Sequence, residues 1–564
     1  MERTLKLTIS LLASNRKDTI PKCLESLRPL LEQVNSELII TDTGCDDELL
    51  EYMSKYTDKI VEFKWCNDFA AARNIGLNMA RGEWFMYIDD DEWFEDVTEL
   101  INFFNSEEEK EYVSANYVVR NYNTLKGDVY NEGVVGRIYR MFDGIHFEGK
   151  IHESITRPDG NVKQFGAYVH HYGYVFDTEE KRQAHFERNV SMLIGQIEEE
   201  PAVARHYAHI YQEYRTMNQP NKILKYAFEA LESVDESDRE NKVNLCSTYV
   251  AVVWAYTAMK DYEQAVKYGE MFLTTKPMTG LAKATLMSFM AEGCLRSASY
   301  EKCVEYADEY IVFRDKYKED GERYYKELAP MLNDTFSDKR IGITISTGLE
   351  AAIELGDVKK AVVYILAYDW SKNVYIMELD CVGRLAELMA QADFTSDKEL
   401  FKDSVRVFGK LFTHIESSNM LVKRIGQMKE DNPEGYACLC NVMINVAGQP
   451  GYKELVSIIV ANKSGDIGKL YEIYEQTVYA DDNVLSMEKE FYEVALDKNI
   501  PLGKMICGIS VERWTKMLKL WARTVRNRDI IQTKKYLDKF LPVDSIHMKL
   551  FEKQIIDILE NRKK

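Results

Sequence analysis

The sequence predicts an α/β domain built on a largely parallel sheet, followed by an all-α solenoid. Three observations carry this. Strand-like and helix-like segments alternate through the first third of the chain. Polar clusters close four successive strand-like runs. From about Thr178 helical periodicity takes over almost without interruption, and related segments recur at spacings of about 40 residues.

The elements follow in order. "KLTISLLAS" (6–14) reads as a strand, and "TIPKCLESLRPLLEQV" (19–34) as a helix with proline near its start. "SELIITDTG" (36–44) is the second strand, "DDELLEYMSKY" (46–56) a helix and "KIVEFKW" (59–65) the third strand. "DFAAARNIGLNMA" (68–80) is a helix and "WFMYID" (84–89) the fourth strand. Segments 112–122 and 134–142 extend the sheet with a mixed edge. A long helix over 177–200 starts with Asp177 three residues before Glu180, the spacing of a capping box. The later helices "NKILKYAFEAL" (221–231), "DYEQAVKYGEMFL" (261–273), "SYEKCVEYADEYI" (299–311) and "GDVKKAVVYILAY" (356–368) resemble one another. A small residue followed by Tyr gives them a tetratricopeptide-like cast, at a period somewhat longer than usual. The expected organisation is an α/β domain over 1–180, a linking helix over 181–200, helical repeats over 201–440 and a helical continuation or cap over 441–564.

Composition narrows the function classes. The chain has 564 residues, 46% hydrophobic and 29% charged, the profile of a folded protein with several domains. With 72 basic against 92 acidic residues the formal charge is −20. That opposes generic nucleic-acid binding and adhesion to anionic membranes, although a local basic pocket remains compatible with it. The richest apolar run, "YVAVVWAYTAM" (249–259), is too short to span a bilayer, and the N-terminus has no signal-cleavage pattern. Ten scattered cysteines read as reduced, mostly buried thiols, and only Cys438 and Cys440 lie close enough to hint at a metal. A cytoplasmic location is the expectation.

Ligands of open α/β sheets bind at the carboxyl ends of the strands. Here those ends read "SNR" (14–16), "DTGCDD" (42–47), "WCNDF" (65–69) and "DDDE" (89–92). There is no glycine-rich dinucleotide fingerprint and no Walker loop. Asp89 and Asp91, spaced Asp-x-Asp, would lie on one side of an extended segment and offer oxygens to a hard divalent cation, with positions left for phosphate. An isolated DDDE would read as a solvated acidic turn. After the strand "WFMYI" and beside Trp93 and Phe94, the metal-diphosphate reading is preferred.

These segments resemble family 2 glycosyltransferases of the GT-A fold, through "ISLLASNRKDTIPKCLESL" (9–27), "LIITDTGCDD" (38–47) and "DFAAARNIGLNMARGEWFMYIDDDE" (68–92). "FEGKIHESI" (147–155) and "HHYGYVFDTEEKRQAHFERN" (170–189) are similar to bacterial members with C-terminal tetratricopeptide domains, a group that includes glycocin peptide S-glycosyltransferases. Thr43 and Cys45 depart from the commoner Asp and Ser of the family. The resemblance implies that Asp42, with backbone from Ala13 through Ser14 to Asn15, holds the nucleoside. It implies that Arg73 faces the nucleotide, a surface salt bridge being the other reading. Asp91, with Asp89 and Asp90, would carry Mn²⁺ or Mg²⁺. His171 is the candidate third ligand and His170 the alternative, although a His beside Tyr and Gly is more often structural. Family 2 members invert the anomeric centre, so one base suffices. Glu153 of "IHES" is the candidate, with His152 as neighbour or phosphate contact and Asp143 and Glu148 in reserve. A Glu in that place can equally anchor an arginine.

The leading expectation is an inverting, metal-dependent transferase that uses a nucleotide sugar, UDP-linked, with a peptide or protein side chain as acceptor. Partners would be that donor and acceptor, and a second copy of the chain through its tyrosine-rich repeats. The competing readings are a transferase for cell-surface glycans, a non-catalytic repeat scaffold and nucleotidyl transfer. The last would want glycines after the first strand, which "ASNRKDT" lacks.

Overall fold

The computed structural model describes residues 5–446 apart from 123, 125, 174, 177, 239–240 and 369–378, together with 510–524, 534–535, 537–539 and 541–561. The chain divides into two compact units, Met1–Ala251 and Val252–Lys564.

The first unit is built on an eight-stranded sheet. Strands β1 (Leu7–Ala13), β2 (Ser36–Asp42), β3 (Ile60–Glu62) and β4 (Trp84–Asp89) are mutually parallel, in the spatial order β3-β2-β1-β4. Beyond β4 lie β7 (Tyr130–Arg140), β6 (Ser114–Tyr122), β10 (Val162–His171) and β5 (Glu92–Phe94). Here β7 runs antiparallel to β4 and β6, so the predicted mixed edge is half the sheet. A separate two-stranded ribbon joins β8 (Phe147–Glu148) to β9 (Ser154–Ile155).

β1 and β2 are buried along most of their length because helices α1 (Ile20–Gln33), α2 (Asp47–Met53), α3 (Phe69–Met79) and α4 (Thr98–Phe104) cover the sheet. That is why these strands read as continuous apolar runs. α3 approaches β1 closely at Gly76, where a Cβ would stand 2.2 Å from Ser10 Oγ. Asp46 and Asp68 cap α2 and α3, accepting from the Leu49 and Ala71 amides. The strands β5 and β10 were not legible. β5 has three residues, and Lys163, Gln164 and Gly166 break the apolar alternation of β10, whose register also shifts between Gln164 and Tyr168.

Helix α5 (Glu179–Glu199) is capped by Thr178, whose hydroxyl accepts from the Lys181 amide. The cap thus falls one residue after the expected Asp177, which lies outside the described residues. α6 (Ala204–Thr216) and α7 (Pro220–Ser233) follow in the same unit. In the second unit, α8 (Tyr262–Thr275), α9 (Gly280–Arg296), α10 (Tyr300–Glu319), α11 (Asp338–Glu354) and α12 (Val358–Ala367) stack successively, and α7, α8, α10 and α12 are the predicted repeat helices. Their small residues permit the stacking: a Cβ on Gly269 would meet Met290 Sδ at 2.4 Å, and one on Gly348 would meet Tyr364 at 2.5 Å. The repeat tyrosines turn out to be core residues in several cases. Tyr310 and Tyr364 are fully buried and donate to the Thr335 and Val304 carbonyls, which removes them from any binding face. Cys438 is half-buried, and the side chain of its companion Cys440 lies outside the described residues. Most of 447–533 is likewise outside them.

At the amino ends of β1 and β2, Glu37 is a buried carboxylate. It accepts from Thr8 Oγ1 at 2.7 Å, from the Arg81 amide at 2.9 Å, from the Arg81 guanidinium at 2.7 Å and from Lys59. Burial opposes its charge, but these donors prevail and bring it down to about 2. A depressed carboxylate contributes stability above its unfolded pKa and loses it as pH falls towards the folded one. Glu37→Gln should therefore lower the thermal transition by several degrees at pH 7, and the difference from wild type should shrink from pH 4.5 to pH 2. A difference that does not vary with pH, followed by circular dichroism, would contradict this account.

Candidate functional site

The four acidic residues do not lie along an extended strand. β4 ends at Asp89, the chain turns at Asp90 and Asp91, and β5 begins at Glu92. The turn sends the carboxylates in different directions, and each meets its own partners. Asp89 takes Arg73 Nη2 on one oxygen at 2.6 Å and Arg137 Nη2 on the other at 2.9 Å. Asp90 accepts from the Ser14 amide at 2.6 Å and hydroxyl at 2.7 Å, and lies 3.3 Å from Arg16 Nε. Asp91 accepts from Arg16 Nη1 at 2.5 Å. Glu92 accepts from Arg137 Nη2 at 3.1 Å. The cluster is thus compensated by arginines from three elements.

Titration follows those partners. Burial opposes ionisation of Asp89, but Arg73 and Arg137 outweigh it and hold it well below the usual carboxylate range. Burial, with Asp91 adding repulsion, pushes Asp90 up to about 7 despite Arg16 and Ser14. Burial likewise raises Glu92.

Arg73 is the hub. It is buried on α3, over the Tyr87 ring at 4.9 Å, and its Nε donates to Glu153 Oε1 at 2.5 Å. The expected base and the expected nucleotide-facing cation are therefore bound to each other. His152 stands beside them with φ 53°, its ring stacked on His209 of α6 at 4.0 Å. Burial holds the His152 imidazole down to about 4. Asp143 and Glu148 are exposed and do not line the cavity.

At the ends of β1 and β2, Asp42 is buried and folds over its own turn, accepting from the Gly44 and Cys45 amides at 3.0 and 2.7 Å. Thr43 ties the two strand ends together through amide and hydroxyl bonds to the Ala13 carbonyl, at 2.9 and 2.8 Å. Asn15 accepts from the Asp46 amide at 3.3 Å. Of the predicted nucleoside residues, Ser14 lines the cavity, as does Thr43, while Ala13, Asn15 and Asp42 do not.

The histidine pair separates by strand alternation. His170 is held between Tyr122 and Glu95, both at 2.7 Å, and stacks on Trp93. That assigns the alternative ligand a structural place. His171 faces the site. Its Nδ1 donates to Asn121 Oδ1 at 2.6 Å, and its Nε2 stands 3.7 Å from Asp91 Oδ1. No set of three or more His, Cys, Asp or Glu among the described residues is grouped to hold a metal ion. Asp89 is not available to complete one, since both its oxygens bond arginine.

These groups line a cavity of about 780 Å³. Its further wall comes from beyond the sheet: His185, Arg188 and Asn189 of α5 and Glu213 of α6. Asn189 accepts from Arg188 at 2.9 Å and donates to Glu213 at 2.9 Å. Burial raises the Glu213 carboxyl. Sequence reasoning missed these, together with Arg16, Glu92 and Arg137. Strand alternation is the signal that would have found Arg137, but the register shift between Gly136 and Ile138 puts it at a bulge, where alternation does not assign a face. No such signal marked Arg188, because a charged residue on a long helix ordinarily faces solvent.

Residues 8–157 match Glycosyl transferase family 2. The N-terminal region of this chain is a glycosyl transferase family 2 domain. It carries the GT-A-type α/β arrangement, and helical, tetratricopeptide-like repeats follow it. A TPR repeat-containing protein of Synechococcus elongatus is 27% identical over 188 residues, covering 31% of this chain and 44% of that protein. The SPbeta prophage-derived glycosyltransferase SunS of Bacillus subtilis is 26% identical over 160 residues, covering 27% of this chain and 35% of its own length. The chain thus spans less than half the length of these relatives. Among solved structures, S. aureus TarS 1–349 aligns at a TM-score of 0.26 and 14% identity, covering 56% of this chain and 91% of that one. The cavity of the family 2 domain is therefore walled in part by helices outside the matched region.

Removing one member of a buried ion pair costs about 3–5 kcal/mol. Arg73→Ala leaves Asp89 and Glu153 facing each other without their shared cation. It should destabilise the first unit on that scale in urea titrations, with Arg73→Lys recovering part of the loss. Stability within about 1 kcal/mol of wild type for Arg73→Ala would show that the hub is dispensable.

Proposed function

We propose that this protein is an inverting, metal-dependent glycosyltransferase that moves a sugar from a nucleoside diphosphate, UDP for preference, to a peptide or protein side chain. One observation carries the reading. The strand-end cavity, lined in large part by residues of the family 2 match, sets a carboxylate, Glu153, and a carboxylate–imidazole pair, Asp91 and His171, among several arginines. Transfer of this class needs a base for the acceptor and positive charge for the diphosphate.

The metal would be held by Asp91 and His171, with donor phosphate oxygens completing the shell. The residues fit that role. Asn121 fixes the tautomer that turns His171 Nε2 towards Asp91, and Gly173 leaves open the space where a Cβ would fall 2.3 Å from His171 Nε2 and 2.8 Å from Asp91 Oδ2. When bound, Mn²⁺ or Mg²⁺ supplies charge stabilisation to the leaving diphosphate. Asp89 instead holds Arg73 and Arg137 in place. Ser14 and the backbone from Ala13 to Asn15, with Asp42 bracing the turn behind them, form the nucleoside side.

Glu153 takes the acceptor proton. Its bond to Arg73 aims it, and transfer requires the acceptor to enter from its other side. The proposed domains are the catalytic domain 1–180, the linking helix 181–200, which also walls the cavity, the repeats 201–440 and the C-terminal helical region 441–564. Joining a catalytic domain to stacked repeats supports a polypeptide acceptor, since such stacks present extended surfaces. Self-association through the repeats is the accompanying proposal, read by sedimentation. Among the described residues no helix is long and apolar enough to cross a membrane.

The test is hydrolysis of a panel of nucleotide sugars with Mn²⁺ and with EDTA. Turnover of at least one donor should require the metal and vanish in Asp91→Asn. It should fall in Gly173→Ala, whose folded stability should stay near wild type. Asp46→Asn is the control, because asparagine caps α2 as well as aspartate does. Turnover that persists in EDTA would remove the metal from the mechanism, and no turnover of any donor would remove the transferase reading.

Glu153→Gln keeps an acceptor for Arg73 Nε but cannot take a proton. It should lower kcat for transfer by about 10²–10⁴-fold with donor affinity retained. A kcat within a few-fold of wild type would confine Glu153 to anchoring Arg73.

A further inference from the structure

The arginines of the cavity fall into two kinds. Arg73 and Arg137 are enclosed and committed to carboxylates on the sheet side. Arg16 is half-exposed and shared between Asp90 and Asp91. Arg188, from the third turn of α5, is open to the cavity and has no carboxylate within ion-pair distance among the described residues. Its Nε and Nη2 donate to Asn189 Oδ1 at 3.2 and 2.9 Å, and its guanidinium lies 5.7 Å from the Phe69 ring centre. Those contacts orient the group without neutralising it, and Asn189 is itself held by Glu213. Burial first, and then the like charge of Arg16, lower the pKa of Arg188, while the carboxylates of Glu213 and then Asp91 lie within electrostatic reach and oppose that shift. Arg188, Arg16 and Asp91 therefore face the same space. An anion placed between the two guanidiniums is attracted to both.

We propose that Arg188 binds the diphosphate of the donor and holds it as it leaves, a cation supplied to the family 2 domain by a helix outside it. This rests on the proposed transferase reading. In the transfer step the acceptor heteroatom forms a bond to the anomeric carbon and its proton passes to Glu153. The bond from the anomeric carbon to the phosphate oxygen breaks, and its electron pair stays on that oxygen. The diphosphate gains a full negative charge in this step, and a planar guanidinium with free N–H groups matches paired phosphate oxygens. Arg16 takes the opposite side.

The test is calorimetry on the full-length protein. The wild type is first titrated with UDP, GDP, CDP and ADP, and the best-bound diphosphate is then compared with its own monophosphate in each variant. Arg188→Gln should weaken the diphosphate about tenfold or more while changing the monophosphate less than about threefold. Arg188→Lys should give a smaller loss of the same kind. Arg182→Gln, whose arginine pairs with Glu179 on the outer face of the same helix, should bind as wild type. Unchanged diphosphate affinity in Arg188→Gln would overturn the proposal, as would equal loss of both nucleotides. If Arg188→Gln does not fold, Arg188→Lys decides by the same ratio. A wild type that binds none of the four diphosphates would refute the transferase reading itself, an outcome distinct from failure of Arg188 alone.

Discussion

The site is organised by one buried guanidinium. Arg73 reaches from α3 to the end of β4 through Asp89 and to the β8–β9 ribbon through Glu153, so it joins three segments distant in sequence. A buried carboxylate without a cation would be protonated or expelled, and a buried arginine without a carboxylate would be equally costly. Each therefore requires the other. Arg137 repeats the arrangement from β7, bonding Asp89 and Glu92. Together they allow consecutive acidic residues to sit at the edge of an apolar core.

That arrangement divides the acidic run by role. Asp89 and Glu92 belong to the sheet and its arginines. Asp90 belongs to the end of β1, where Ser14 and Arg16 hold it. Asp91 retains an oxygen facing His171, and so is the member of the run able to act on a ligand. The metal reading of the sequence had assumed an extended segment with Asp89 and Asp91 side by side. The turn at Asp90 and Asp91 removes that geometry.

The cavity also shows why the sheet is not the whole site. Apart from Asp91, its strand-end carboxylates are committed to arginines, whereas Arg188 of α5 faces the cavity with no carboxylate at ion-pair distance among the described residues. A boundary drawn at the last strand, near His171, would strip away His185, Arg188, Asn189 and Glu213. The compact unit accordingly runs on to Ala251.

Local sequence was sufficient for the elements whose pattern is local. The buried parallel strands announce themselves as apolar runs, the caps Asp46 and Asp68 precede their helices, and three of the repeat helices place a small residue three before tyrosine, at Ala265, Cys303 and Ala361. The polar strand ends marked the site correctly as a place, because chain direction in a parallel sheet gathers those ends together. Partnership was not legible. Whether Glu153 faces solvent or Arg73, whether His170 or His171 faces Asp91, and whether a repeat tyrosine lies on a surface or in the core depend on contacts between residues far apart in the chain. The sequence by itself determined the class of fold and the end of the sheet where chemistry belongs. Only the tertiary structure decided which charge meets which, because burial and pairing set the energy of a charge and neither is a property of its neighbours in sequence.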